Sequence, residues 1–117
     1  MATNSQIPFN PQGKTVVIAA AATAPDGVQA PVLDFNNQQA AGEYRFVNAG
    51  SNTVFLGVGS TAAAAKANAV APIAGAPSMA IVLVPGAVEI LRFGVNAFFS
   101  GLASGATTVY VTPGQGL

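Results

Sequence analysis

The sequence predicts an all-β protein: a single β-sandwich or jelly-roll-like barrel of about 7–8 short antiparallel strands with an extended N-terminal arm. Short apolar runs follow one another along the 117 residues, and several of them alternate apolar with polar side chains. Turn residues, among them 13 glycines and 8 prolines, separate the runs. Alternating runs with regular turns between them are typical of sandwiches and barrels, and a chain of this length forms one domain.

The arm is predicted over residues 1–13, and the β-sandwich domain over residues 14–117. The arm sequence, MATNSQIPFNPQG, is mostly polar, contains two prolines and shows no period of apolar residues. Proline restricts the backbone and lacks an amide donor, which suits an extended segment. The apolar residues Ile7 and Phe9 need a surface to cover them, either on this domain or on a partner.

Eight runs are predicted to form strands. In chain order they are KTVVIAAA, VQAPVLDF, EYRFVN, TVFLGVG, SMAIVLV, AVEILRF, VNAFFSGL and TTVYVT. The second run is the weakest, because its proline restricts it to an edge or a bend. In the last run, Val109 and Val111 are expected to point to one face and Tyr110 to the other.

The third and fourth runs are predicted to pair as a hairpin. Between them lies the loop from Asn48 to Asn52, NAGSN, and asparagine and glycine tolerate the positive φ that a tight turn needs. Alternation of side chains on both sides of this loop supports the pairing.

The stretch GVGSTA, residues 57–62, resembles the G-x-G-x-x-[GA] turn of dinucleotide-binding proteins, which follows a strand and opens a helix. In those proteins an acidic residue ~20 positions further on holds the ribose. This chain has none between Glu43 and Glu89, and prolines interrupt the region after the turn. We therefore expect no nucleotide site. The two glycines are predicted to end a strand with a bulge or a sharp bend, and the alanine-rich run to be a loop with a helical turn rather than a packed helix.

Composition argues against several classes of function. The chain has no cysteine and no histidine, which removes disulfides, thiolate metal sites and catalysis by Ser–His or Cys–His pairs. Four Lys and Arg residues, spread along a chain that is only 7% charged, cannot form the basic stripe that binds nucleic acid. Glu43 and Glu89 are expected to pair with Arg45 or Arg92, and the stretch LDFNNQQ is interpreted as a polar loop rather than a calcium site. We expect no enzymatic activity, cofactor, metal or small-molecule substrate.

Two segments resemble signals for membrane insertion or secretion. Residues 67–88 carry no charge, but three prolines interrupt them, so neither a spanning helix nor a membrane partner is expected. The run KTVVIAAAATA has the pattern of a signal peptide, but thirteen residues precede its lysine. It is interpreted as the first strand.

Zero formal net charge and a hydrophobic content of 51% favour association over repulsion, so the chain is interpreted as a component of an assembly. Proline in the arm limits the entropy lost on docking, and one of two adjacent strand phenylalanines points outward. The residues predicted to contact a partner are Ile7, Pro8, Phe9, Pro11, Phe98 and Phe99. Two alternatives are an arm that folds back onto its own domain and a core that holds both phenylalanines.

Four stretches together resemble one known family: FNPQGKT, YRFVNAGSNTVFLGVG, PGAVE before a late strand, and TTVYVTPGQGL. They are similar to stretches of small tailed-bacteriophage capsid decoration proteins, also called cement or head-stabilising proteins. Each motif is short, but the set spans most of the chain.

The resemblance implies a β-sandwich or jelly-roll-like module, made in the host cytoplasm and placed on the outside of the virion head, where it bridges major capsid subunits. It implies a homo-oligomer, with a trimer favoured. The alternatives are a tail or baseplate adaptor, a head fibre that binds the host surface, and a secreted carbohydrate-binding module. The chain has no tryptophan and two tyrosines, which counts against glycan binding.

Overall fold

The computed structural model describes residues 9–11, 13–30, 43–93 and 97–115, and these form two β-sheets and one short helix. Nine strands lie within the described ranges. The elements are β1 Asn10–Pro11, β2 Val16–Ala20, β3 Val28–Gln29, β4 Glu43–Asn48, β5 Val54–Gly59, α1 Ala62–Asn68, β6 Ile81–Leu83, β7 Val88–Arg92, β8 Phe98–Ala103 and β9 Thr107–Gln115.

Sheet A has the order β1-β9-β4-β7, with β2 also paired to β9, and sheet B has the order β3-β8-β5-β6. All strand pairings are antiparallel, and four of them are nested along the chain: β2 with β9, β3 with β8, β4 with β7 and β5 with β6. Such nesting describes one long antiparallel ribbon that ends at the β5–β6 pair. Rolling the ribbon brings β4 beside β9 and β5 beside β8, and both contacts are present. This is the strand arrangement of a jelly roll, which confirms the predicted fold class.

The predicted hairpin between β4 and β5 is wrong. β4 belongs to sheet A, between β7 and β9, whereas β5 belongs to sheet B, between β6 and β8. The loop after Asn48 therefore crosses from one sheet to the other. Alternation shows that each strand has a buried face, but it does not specify the neighbour with which the strand pairs.

The core between the sheets is centred on an aromatic cluster. Tyr44 and Phe46 from sheet A meet Phe99 from sheet B, with ring centroids 5.5 and 5.1 Å from that of Phe99. Phe93 packs edge-on against Phe46 and closes the cluster. Edge-to-face contacts of this kind add to the stabilisation from buried area. Further buried side chains come from both sheets, including Ile18, Val54, Leu56, Leu83, Val109 and Val111.

Helix α1 packs on the outer face of sheet B, which corrects the prediction of an unpacked loop. Thr61 caps the helix, because its hydroxyl accepts a hydrogen bond from the Ala64 amide at 3.0 Å. At the other end, the side-chain amide of Asn68 donates to the Val58 carbonyl at 2.8 Å. The absence of large side chains in α1 does not prevent packing, because the surface that receives the helix is also made of small residues.

Gly57 and Gly59 provide that surface. Gly59 is the last residue of β5, as predicted, but both glycines keep regular pairing with β8 and form no bulge. A Cβ atom on Gly57 would lie 2.3 Å from the Ala65 carbonyl oxygen and 2.4 Å from the Ala69 amide nitrogen. A Cβ atom on Gly59 would lie 2.6 Å from the backbone of Ala65. The glycines that resemble a nucleotide-binding turn therefore allow the helix backbone to approach the sheet.

Candidate interaction surfaces

The charged side chains of the described residues form two ion pairs. The Arg92 guanidinium donates to the Glu43 carboxylate at 2.5 Å across the β7–β4 pair, which confirms the predicted pairing of these two residues. Lys66 and Asp26 make an exposed contact at 3.8 Å. Within the described ranges, no group of three or more Asp, Glu, His or Cys side chains is placed to hold a metal.

Among the described residues, Tyr44 is a core residue whose side-chain pKa is clearly shifted. Its ring is fully buried, and its hydroxyl makes no hydrogen bond within the described structure. Burial raises the pKa of this hydroxyl, because desolvation disfavours the phenolate. The residue lies in the aromatic cluster and acts there as a packing residue.

The described part of the predicted arm lies on sheet A. Strand β1 pairs with the end of β9, so that Pro11 is opposite Gly114. The Phe9 ring is half-buried against Gly114, and the Arg45 guanidinium lies 6.0 Å from its centroid. For Phe9, the structure thus shows the second of the two predicted possibilities: this part of the arm folds back onto its own domain. Ile7 and Pro8 lie outside the described residues.

Phe98 and Phe99 point to opposite faces of sheet B. Phe99 is fully buried in the aromatic cluster, so it is removed from the set of residues predicted to contact a partner. Phe98 is half-buried on the outer face, in register with Gln29 and Gly59. Only the outward ring of the pair is available to a partner, because strand side chains alternate between faces.

We expect Phe9→Ala to lower the free energy of unfolding by about 1 kcal/mol, because it removes a half-buried aromatic side chain from sheet A. Urea unfolding of the purified chain measures this change. Asn10→Ala is the control, because the neighbouring Asn10 is exposed in β1 and the loss of its side chain should cost less than about 0.5 kcal/mol. Equal stabilities of the two variants would contradict the packing of Phe9 on its own sheet.

An apolar row, which the sequence prediction missed, crosses the outer face of sheet A. Val17, Tyr110, Val47 and Val88 are adjacent in register on β2, β9, β4 and β7, in that order. Val17 is 47% exposed, Tyr110 42% and Val88 57%. The alternation within each strand indicated that these side chains point outward. It is the order of the four strands in sheet A that places them in one row. We call these four residues the sheet A row.

A second apolar surface lies between α1 and β6. Residues 70–80, VAPIAGAPSMA, contain a two-residue turn flanked by the pair Ile73–Ala76, and we call this segment the apolar hairpin. Ile73 is 69% exposed and Met79 is 80% exposed. The sequence predicted that prolines interrupt this region and that its last three residues, SMA, begin a strand, whereas the observed strand β6 begins at Ile81. A stretch without charge that combines turn residues with Ile and Met is the signal that could have identified it as a surface.

Comparisons of the chain with family models, curated proteins and solved structures give no match. No helix in the described ranges is long and apolar enough to cross a membrane. The surfaces themselves therefore provide the observations on which a function can be proposed.

Proposed function

We propose that this protein is a non-enzymatic structural component of a bacteriophage virion. It binds the outside of the head and stabilises the capsid lattice by bridging major capsid subunits. Its copies associate with one another, with a trimer favoured, and the sequence resemblance to capsid decoration proteins supports this assignment.

The observation that carries the proposal is the exposure of large apolar side chains at two places on the jelly roll. The sheet A row and the apolar hairpin together expose six large side chains that are neutral: Val17, Tyr110, Val88, Val70, Ile73 and Met79. Large exposed apolar patches mark sites of protein association. A surface of this kind is stable in water when a partner covers it.

The fold and the charge distribution are compatible with the proposal. Jelly rolls are frequent in viral capsids, although a fold by itself does not define a function. The chain has zero formal net charge, so association does not depend on long-range electrostatic steering. Binding to a protein lattice would then depend mainly on apolar area removed from water.

Fractionation of the source phage lysate on a density gradient tests the proposal. The chain is followed by mass spectrometry through free protein, empty heads, filled heads and detached tails. Co-migration with tail-less heads, at a copy number comparable to the major capsid protein, is the expected result. Migration with detached tails alone would identify a tail or baseplate adaptor, and migration with free protein alone would exclude a virion component.

A further inference from the structure

The apolar hairpin is held in one conformation by a short set of hydrogen bonds. The amide of Ile73 donates to the Ala76 carbonyl at 3.1 Å, and the amide of Ala76 donates to the Ile73 carbonyl at 2.9 Å. At the base, the Ser78 hydroxyl donates to the Val70 carbonyl. Two prolines within the segment further restrict its backbone. The hairpin is thus preorganised, and docking it costs little conformational entropy.

The turn of the hairpin extends into open space. Gly75 has φ of +82°, a conformation that glycine adopts without strain, and it completes the tight turn between Ile73 and Ala76. A Cβ atom at Gly75 would meet no other atom within 4 Å. Residues 72–77 are all exposed, so the turn is accessible to a partner.

The electrostatics of this region limit the chemistry of its partner. No charged residue occurs from Ala67 to Val88, so the hairpin and the β6 strand that follows it are neutral throughout. A partner that buried charged groups against this segment would lose their hydration without gaining an ion pair. The complementary surface is therefore uncharged and apolar.

The shape of the hairpin favours a different protein over a second copy of the same hairpin. Ile73 and Met79 expose on the order of 200–300 Å² of apolar surface, well below the ~800 Å² per partner that stable dimers bury. A two-fold contact must also be self-complementary, and two convex turns are not. A narrow convex element of this size fits as an anchor inside a concave site.

We propose that the apolar hairpin is the anchor that inserts into an uncharged, apolar cleft on the shell of major capsid subunits. This inference rests on the proposed function and assigns the lattice contact to a particular segment. It differs from the sequence prediction, which placed the contact on the arm and on Phe98 and Phe99.

The test measures binding of the purified chain to heads assembled without it, by co-sedimentation over a range of concentrations. The hairpin variant is Ile73→Ser combined with Met79→Ser. A second variant, Ala74→Arg, places a charge on the exposed turn and leaves the large side chains in place. The control, Val82→Thr combined with Val84→Thr, removes exposed apolar area outside the apolar hairpin and the sheet A row and retains β-branched side chains at both positions. Thermal unfolding checks that the folds are equivalent, and size-exclusion chromatography with light scattering reports self-association.

We expect both hairpin variants to bind heads at least about tenfold more weakly than the wild type, with the control within about twofold. Wild-type binding by either hairpin variant overturns this inference and leaves the proposed function standing. An equal loss in the control also overturns it, because the hairpin would then have no special role. A change in oligomeric state of the hairpin variants overturns it in favour of a second copy as the partner. Failure of the wild type to bind heads overturns the proposed function, and this inference with it.

Discussion

Gly57→Ala is expected to lower the free energy of unfolding by about 3 kcal/mol, at the upper end of the usual cost of overpacking. The added methyl group would lie 2.3 Å from the Ala65 carbonyl oxygen and 2.8 Å from the Ala69 Cα atom. Both are backbone atoms, so a side-chain rotation cannot relieve the contact. The helix must move away from sheet B, which separates Asn68 from the Val58 carbonyl. Thermal unfolding should show a decrease in the melting temperature of about 10 °C.

Gly105→Ala is the matched control for this substitution. The nearest atom to a Cβ at Gly105 is the side-chain nitrogen of Asn52, at 3.3 Å, and that side chain can move. We expect a change of less than about 1 kcal/mol there. If Gly57→Ala unfolds at the same denaturant concentration as Gly105→Ala, the close packing of α1 on β5 is wrong.

Asn48→Ala is expected to lower the free energy of unfolding by about 3 kcal/mol, because the buried Asn48 side chain makes three hydrogen bonds, one to sheet B and two within the loop that follows β4. Its side-chain amide donates to the Leu83 carbonyl in β6 and to the Asn52 carbonyl, both at 2.9 Å. Its side-chain oxygen accepts from the Gly50 amide at 3.0 Å. Truncation removes all three bonds at a fully buried position and leaves a cavity. Equilibrium unfolding in urea measures the loss.

Asn68→Ala provides the comparison, since it removes one side-chain hydrogen bond at a half-buried position. We expect about 1 kcal/mol for that variant. If the free energy of unfolding falls by similar amounts in Asn48→Ala and Asn68→Ala, the three hydrogen bonds of Asn48 contribute no more to stability than the single hydrogen bond of Asn68.

The fold class could be predicted from local patterns because alternation and turn residues are local properties. Val109 and Val111 are buried on one face of β9 and Tyr110 is exposed on the other, as the alternation predicted. Strand pairing could not be predicted in the same way. The loop after Asn48 has residues typical of a hairpin, but the strand that follows it pairs in the other sheet. In the rolled ribbon β4 is paired on both sides, with β7 and β9, and so is β5, with β6 and β8.

The packing of α1 shows a second limit of local reasoning. An alanine-rich segment without large apolar residues predicted a helical turn that does not pack, since buried area usually comes from large side chains. The outcome depended on Gly57 and Gly59, whose lack of side chains allows the helix backbone to contact the sheet directly. Complementarity between two surfaces cannot be inferred from either segment alone.

The candidate surfaces show the same limit of local reasoning. The sequence indicated an apolar, nearly uncharged component of an assembly, and it placed the contacts on the arm and on two adjacent phenylalanines. Phe99 proved to be a core residue and Phe9 packs on its own sheet. The exposed surfaces are instead the sheet A row, which arises from the order of four strands, and the apolar hairpin.

By itself, the sequence determined the class of fold, the low charge and the residue types that exclude histidine or cysteine chemistry, because these depend on composition and on short-range periodicity. The tertiary structure alone decided which strands are neighbours, which glycines contact the helix and which apolar residues remain in water. These properties depend on residues far apart in the chain. Val17 and Val88 lie in one row only because β9 and β4 are placed between their strands.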